Sequence, residues 1–218
     1  LQVNSPVLSV NKLANGFEVI TKDKTFNADG IVLATEAYTA ADLMKEFISA
    51  DSYHKLLNAP YTDYAHVQVG YRNNPWPDYP ADIVLPVGYG EGPRPVGAMV
   101  LQSRRQKSSV PVGGEMVGVY FTTPPLEYMT DEDIENEALK WIEKTFGQTK
   151  EKPAFVKLFH YKKGLNIAKP GAYGMLDQLR SEIPQGICLA GDYFSQAGIE
   201  AAVFSGERAA EQLLGSQQ

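Results

Sequence analysis

The stretch that most constrains this chain is Gly186-Ile-Cys-Leu-Ala-Gly-Asp192-Tyr-Phe-Ser-Gln-Ala-Gly198, followed by Ile199 to Leu214. A short apolar run, Ile187 to Ala190, stops at Gly191-Asp192, and after a turn-rich gap an alanine-rich helical pattern runs to Leu214. The order is strand, loop, helix. Ala202, Ser205, Ala209 and Leu213 fall on one helix face at three- and four-residue spacing, and such small side chains let the helix approach its neighbour closely. A strand ending in Gly-Asp aims a carboxylate at the carboxyl edge of a sheet, and a helix start presents unpaired N–H groups with a partial positive charge. Polar ligands bind at such places. Asp192 can accept a hydrogen bond from a sugar-like hydroxyl or sit near a phosphate. The amides of Ile199, Glu200 and Ala201 can hold an electron-rich ring oxygen. The same pattern also closes an ordinary α/β domain, with Asp192 in a turn and the alanines as core, and the pattern alone leaves both readings open.

Composition bounds what the rest can be. With 218 residues, 44% hydrophobic and 21% charged, the chain is expected to form one large or two small soluble globular domains with an ample core. No apolar run approaches the ~20 residues of a membrane helix, and no signal peptide is evident, so the expectation is a cytoplasmic protein. A net charge of −6 argues against nucleic acid as a partner. The single cysteine, Cys188, lies inside the apolar run and reads as a small buried hydrophobe. His54, His66 and His160 have no paired spacing and predict no metal site. The chain opens on Leu1 and reads as part of something longer. Oligomerisation stays open.

Upstream, Asn15-Gly16 between alternating runs predicts a hairpin. The uniformly apolar run Ile31 to Ala34, within Ala28-Asp-Gly-Ile-Val-Leu-Ala-Thr35, predicts a buried strand. A helix is expected from Thr39 or Ala40 to Leu57. In Tyr64-Ala-His-Val-Gln-Val-Gly-Tyr71 strict alternation places Tyr64, His66, Gln68 and Gly70 on one face and Ala65, Val67, Val69 and Tyr71 on the other. A strand with one core face and one polar-aromatic face can line a cavity. Gly88 to Gly92 is followed by Pro93-Arg-Pro95, so it predicts a hairpin turn rather than a phosphate loop. Val96–Leu101, Glu115–Thr122 and Ala154–Tyr161 are further expected strands, and a mixed or antiparallel sheet follows from them. Thr130-Asp-Glu-Asp133 is an acidic capping box before a helix carrying Ile134, Ala138, Trp141 and Ile142.

The C-terminal stretch resembles the flavin-binding motif of the FAD-dependent amine oxidase and protoporphyrinogen oxidase superfamily, which also holds the phytoene desaturases. The order of that motif is an apolar strand, Ala-Gly-Asp, a spacer and a Ser-Ile-Glu-Gly-Ala-x-x-Ser-Gly-x-x-Ala-Ala helix. Ala190-Gly191-Asp192, Gly198-Ile199-Glu200-Ala201-Ala202, Ser205-Gly206 and Ala209-Ala210 match it in order and spacing. Ala201 departs from it, standing where the family usually has glycine. Ala28 to Thr35 is similar to the family's Ala-Asp-x-Val-Val-x-Ala element, and Ala168-Lys-Pro-Gly-Ala-Tyr173 to its Ala-x-Pro-x-Tyr element. Asn74-Pro75-Trp76 is similar to the turn ten residues before which many amine oxidases carry a lysine. Here that place holds His66, and Tyr161-Lys162 stands where the family commonly has Arg-Trp. The family's N-terminal Gly-x-Gly-x-x-Gly fingerprint is absent.

The resemblance implies an α/β fold, with α+β character in the substrate part. It places strands of a split FAD domain at 1–38, a substrate domain at 39–182 and the closing strand-loop-helix at 183–218. It implies FAD held by Gly191, Asp192, Gly198, Ile199, Glu200 and Ala201 together with Ala34 and Thr35. Tyr64, Gln68, Tyr161 and Tyr173 would face a small-molecule substrate. His66 could carry protons near neutral pH, although a lone histidine on a strand also suits a structural role. The implied activity is oxidation of a C–N or C–C bond by hydride transfer to the flavin. The missing N-terminal FAD-binding segment would be the partner. Two other readings stay open: a non-catalytic binding protein of the kind of the GDP-dissociation inhibitors in the same superfamily, and one subunit of a split flavoenzyme.

Overall fold

The computed structural model describes residues 1–86, 95–121, 126, 128–194 and 197–215, without the side chains of 172, 173 and 175. The turn expected at Gly88 to Gly92 and the strand end at Thr122 lie outside the described residues. The chain forms two compact units, 1–61 with 166–218, and 62–165. Residue packing therefore divides the chain at 61/62 and 165/166, whereas the sequence reading draws its boundaries at 38/39 and 182/183.

In the first unit β1 (Val7–Lys12), β2 (Phe17–Thr21) and β3 (Thr25–Ala28) form an antiparallel meander. Gly16 closes the first turn, with Leu13 N–H donating to its carbonyl at 3.0 Å. Its φ of +87° suits glycine, and a Cβ there would meet the Ala28 carbonyl oxygen at 2.4 Å. β4 (Ile31–Leu33) pairs in parallel with β10 (Ile187–Leu189), in the register Ile31 with Ile187, Val32 with Cys188 and Leu33 with Leu189. Leu33 is buried as expected, but Val32 stays 39% exposed, so the run is not uniformly covered.

Among the described residues this unit also holds the α-helices α1 (Ala37–Met44), α2 (Ala50–Leu57), α5 (Ala172–Glu182) and α6 (Ile199–Gly215). The single helix expected up to Leu57 is thus two. The break has a polar cause: Ser49 caps α2 by accepting from the Ser52 amide, and its own N–H donates to the Glu182 carboxylate at 2.8 Å. Ala37, Ala40, Ala41, Met44, Leu56, Leu176 and Leu179 bury themselves with Phe17, Leu33, Ile187 and Leu189.

The second unit holds a five-stranded sheet ordered β6 (Ile83–Val84), β7 (Val96–Leu101), β8 (Glu115–Phe121), β5 (Tyr61–Tyr71) and β9 (Phe155–Asn166). The pairs β6/β7, β7/β8 and β8/β5 are antiparallel. A short helix, α3 (Gln102–Arg105), follows β7. β5 and β9 both exceed the expected spans. β5 behaves as its alternation dictates: Ala65, Val67, Val69 and Tyr71 are buried, while Tyr64, His66 and Gln68 are half-buried on the other face.

The helix α4 (Asp131–Phe146) begins at the predicted capping box, with Thr130 and Asp133 exchanging side-chain-to-backbone bonds. It sends Ile134, Ala138, Ile142 and Phe146 into the core with Val67, Val117 and Val119. A fully buried side chain of this size contributes about 1.5–3 kcal/mol.

One buried carboxylate organises the loops of this unit. Glu115, 2% exposed, accepts from the Ser103 N–H and hydroxyl at 2.9 and 2.5 Å and from Asn74 Nδ2 at 3.1 Å. Asn74 Oδ1 in turn accepts from the Trp76 N–H at 2.8 Å. The Asn-Pro-Trp turn is thereby fixed, and Trp76 packs edge-on to Tyr71 with centroids 5.3 Å apart.

Candidate functional site

In the first unit the parallel pairing of β4 and β10 decides what lies side by side. The ladder continues past Leu189, with Ala190 N–H donating to the Leu33 carbonyl at 2.9 Å. The carboxyl ends of the two strands therefore present Ala34-Thr35 and Gly191-Asp192 next to each other. Asp192 opens a short 3-10 turn, Asp192–Phe194, against which α6 packs. These four residues and α6 belong to one compact unit, with α6 packed on the Asp192–Phe194 turn.

The contact between α6 and β10 is a specific one. Ser205 Oγ accepts from the Gly191 N–H at 2.8 Å and donates to the Ala202 carbonyl at 2.9 Å. Below it Ala209 packs with Cys188 and Ala190, and Leu213 flanks them. The expected small-residue face is present except at Ala202, whose side chain is exposed. Cys188 is buried, which pushes its thiol pKa up and suits the expected role of a small hydrophobe.

Gly191 is glycine for a steric reason. A Cβ there would meet the Tyr193 ring at 2.3 Å, so Tyr193 can fold back beneath the turn and bury itself. Burial raises the Tyr193 phenol pKa, with the charges of Tyr61 and Asp192 adding to it. Tyr193 was not among the expected site residues. Asn166 Nδ2 holds the same turn by donating to the Asp192 carbonyl at 3.1 Å. The Asp192 carboxylate, half-buried, makes no hydrogen bond among the described residues.

The first helical bond of α6 runs from the Ala202 N–H to the Gly198 carbonyl at 3.1 Å. The amides of Ile199, Glu200 and Ala201 precede it and have no helix carbonyl to bind. Gly198, Ile199 and Glu200 are exposed. A groove of about 930 Å³ borders this helix. Glu200, Ala201, Leu189, Phe194, Arg180 and Arg208 are among the residues that line it, whereas Ala34, Thr35, Gly191 and Asp192 are not.

The expected substrate-side residues Tyr64, Gln68 and Tyr161, with His66, belong to the second unit. Tyr64 and Tyr161 stack with centroids 6.3 Å apart, and Tyr64 lies 6.4 Å from Tyr120. Burial, with the neighbouring phenols Tyr120 and Tyr161, pushes the Tyr64 pKa up to about 12. His66 is sandwiched between Tyr120 at 4.3 Å and Phe159 at 6.1 Å. Burial lowers its pKa. This row of rings spans β8, β5 and β9 on the sheet face opposite α4. Gln68 continues the same face of β5. Tyr120 and Phe159 went unrecognised in the sequence, although the alternation of β8 and β9 could have found them once their pairing with β5 was known. The expected site residue Tyr173 lies in α5 of the first unit, and its side chain is outside the described residues. No group of metal-binding side chains occurs among the described residues.

In open α/β folds ligands bind outside the carboxyl ends of the parallel strands. The model for the flavin containing amine oxidoreductases matches residues 1–214, and the chain belongs to that family. Its fold is similar to that of a protein from Exiguobacterium sp. 255-15 assigned as a protoporphyrinogen oxidase, at 18% identity and a TM-score of 0.75, over 98% of this chain and 47% of that one. Cyclohexylamine oxidase from Brevibacterium oxydans IH-35A aligns at 17% identity and a TM-score of 0.73, over 98% of this chain and 49% of that one. A reduced UDP-galactopyranose mutase aligns at 13% identity and a TM-score of 0.75, over 91% of this chain and 44% of that one. The chain thus spans about half the length of the solved structures it matches. No curated protein sequence matches it. The family carries a flavin, and among the described residues no helix is long and apolar enough to cross a membrane.

Proposed function

We propose that this chain is the C-terminal portion of an FAD-dependent oxidoreductase that oxidises a C–N or C–C bond of a small molecule by hydride transfer to the flavin. The observation that carries the reading is the parallel pairing of β4 with β10, which brings Ala34-Thr35 beside Gly191-Asp192 in the unit that also holds the exposed start of α6. The donor set fits the cofactor: a half-buried carboxylate with no hydrogen bond among the described residues suits a ribityl-type hydroxyl, and the leading amides of α6 suit a ring carbonyl oxygen. The flavin, when bound, supplies the two-electron acceptor. What this chain does is bind, orient and exclude water.

In this reading Asp192 accepts from the cofactor, the amides of Ile199, Glu200 and Ala201 donate to it, and Ala34-Thr35 line its other side. The first unit is the end of the FAD domain and the second is the substrate domain. Tyr64, Gln68 and Tyr161 border the substrate. His66 is the hydrogen-bonding group of that face. The partner is an N-terminal FAD-binding segment that supplies the pyrophosphate site.

The test is made on the complete protein. Its released flavin is identified by chromatography, and anaerobic bleaching of the bound flavin is followed with amines and with reduced cyclic C–C substrates. FAD at one per protein, bleached by one of these classes, is the expected result. A complete protein that carries no flavin and binds another protein instead would favour the non-catalytic reading and overturn this one.

A further inference from the structure

Within the first unit a short run of hydrogen bonds joins the loop after β4 to the loop after β10. On the β10 side, the Asp192 carbonyl accepts from Nδ2 of Asn166, the last residue of β9, at 3.1 Å. The next residue, Ile167, donates its N–H to the Pro60 carbonyl at 2.8 Å. Beside Pro60, the Tyr61 hydroxyl accepts at 3.1 Å from the N–H of Ala37, the first residue of α1. Glu36 gives that helix no side-chain cap, so the phenol of Tyr61 takes the capping role. Asn166 thus carries the position of the β4 loop across to Asp192.

We propose that Asn166 is a positioning residue for Asp192, fixing the peptide that follows it so that the carboxylate is aimed before any ligand arrives. The proposal rests on the reading of Asp192 as an acceptor for the cofactor. The backbone around Asp192 is held on both sides, by Ser205 Oγ at the Gly191 N–H and by Asn166 Nδ2 at the Asp192 carbonyl, while the carboxylate itself makes no hydrogen bond among the described residues. A ligand group on a loop needs this kind of support from the residues behind it. The other end of the Asn166 amide separates aiming from stability. Asn166 Oδ1 is buried and has no hydrogen-bond partner among the described residues, which costs stability. Leucine, of nearly the same shape, would avoid that cost and lose only the bond to Asp192.

Two readouts in the complete protein test this: the FAD dissociation constant, from fluorescence titration of the flavin-stripped protein, and the Tm of the stripped protein. Asn166→Leu should raise the dissociation constant by about three- to tenfold, the size of one lost hydrogen bond. Its Tm should stay within a few degrees of wild type, because the unpaired amide oxygen is removed along with the donor. In the Asp192→Ala background the same change should weaken FAD binding by less than about twofold, since its effect runs through the carboxylate.

FAD bound as tightly by Asn166→Leu as by wild type would overturn the proposal. So would an equal loss in both backgrounds together with a much lower Tm, which would make Asn166 a support of the fold alone. Should Asn166→Leu not fold, Asn166→Ala is read by the same comparison of backgrounds. A wild-type complete protein that binds no FAD would instead overturn the cofactor reading beneath the proposal, so the two failures are told apart before any variant is made.

Discussion

The Gly191 amide donates to Ser205 Oγ at 2.8 Å, which ties the end of β10 to the second turn of α6. The same hydroxyl donates to the Ala202 carbonyl, so both of its hydrogen-bonding functions are used. Ser205→Ala removes the acceptor and leaves a part-buried N–H unpaired, at a cost of about 1–2 kcal/mol. Thermal unfolding of the complete protein should show a lower Tm. Its flavin content should fall as well, because the junction that aims α6 is loosened. Ser205→Thr, which keeps the hydroxyl, should lie nearer wild type in both.

Asp192→Ala should weaken flavin binding more than it weakens the fold. Among the described residues its carboxylate supports no other side chain, and the turn is held through the Asp192 backbone carbonyl by Asn166. The expected loss is on the order of 1–3 kcal/mol in cofactor affinity, read as the flavin-to-protein ratio after dialysis. Equal flavin content in mutant and wild type would leave Asp192 as a turn residue only.

Glu115 tests the second unit in isolation from any cofactor question. Its carboxylate receives Ser103 and Asn74 while almost wholly buried, so Glu115→Ala strands several donors at once. The cost should be roughly 2–4 kcal/mol. Glu115→Gln should fall between, since one acceptor oxygen remains. Denaturant unfolding, with Trp76 fluorescence as a probe of the adjoining turn, reads the difference. A loss below about 0.5 kcal/mol for Glu115→Ala would show that water replaces the carboxylate.

What could be read from the sequence was whatever has a local period or a local cap. The alternation of β5, the Thr130 capping box and the strand-loop-helix from Ile187 were legible because each is fixed by residues a few positions apart. The break at Ser49 was not, because its partner Glu182 lies far away in sequence and no glycine or proline marks it. Glu115 reads as one more residue of an alternating strand, and only the approach of Asn74 and Ser103 reveals its role. Ser205 was placed on the packing face correctly, yet its bond to Gly191 depends on how closely α6 approaches. Tyr120 became a neighbour of His66 only through strand pairing. Non-local register is the information a single sequence does not display.

The last prediction concerns pH and His66. Burial lowers its pKa in the folded chain, so the unfolded state binds more protons at any pH between the folded value and the unfolded value of about 6.5. Stability from this group is therefore fully present above about pH 6.5 and is lost as pH falls through that window toward the folded value. His66→Leu, which keeps an apolar filling between Tyr120 and Phe159, should remove this part of the slope when Tm is followed from neutral to mildly acidic pH. His66 is only half-buried, so the effect is a change of slope rather than collapse of the fold. Turnover separates structure from chemistry: if the imidazole takes part in the reaction, the same variant lowers kcat and removes the acid-side step of the pH–rate profile. A flattened stability curve with an unaltered rate profile would assign His66 to packing alone.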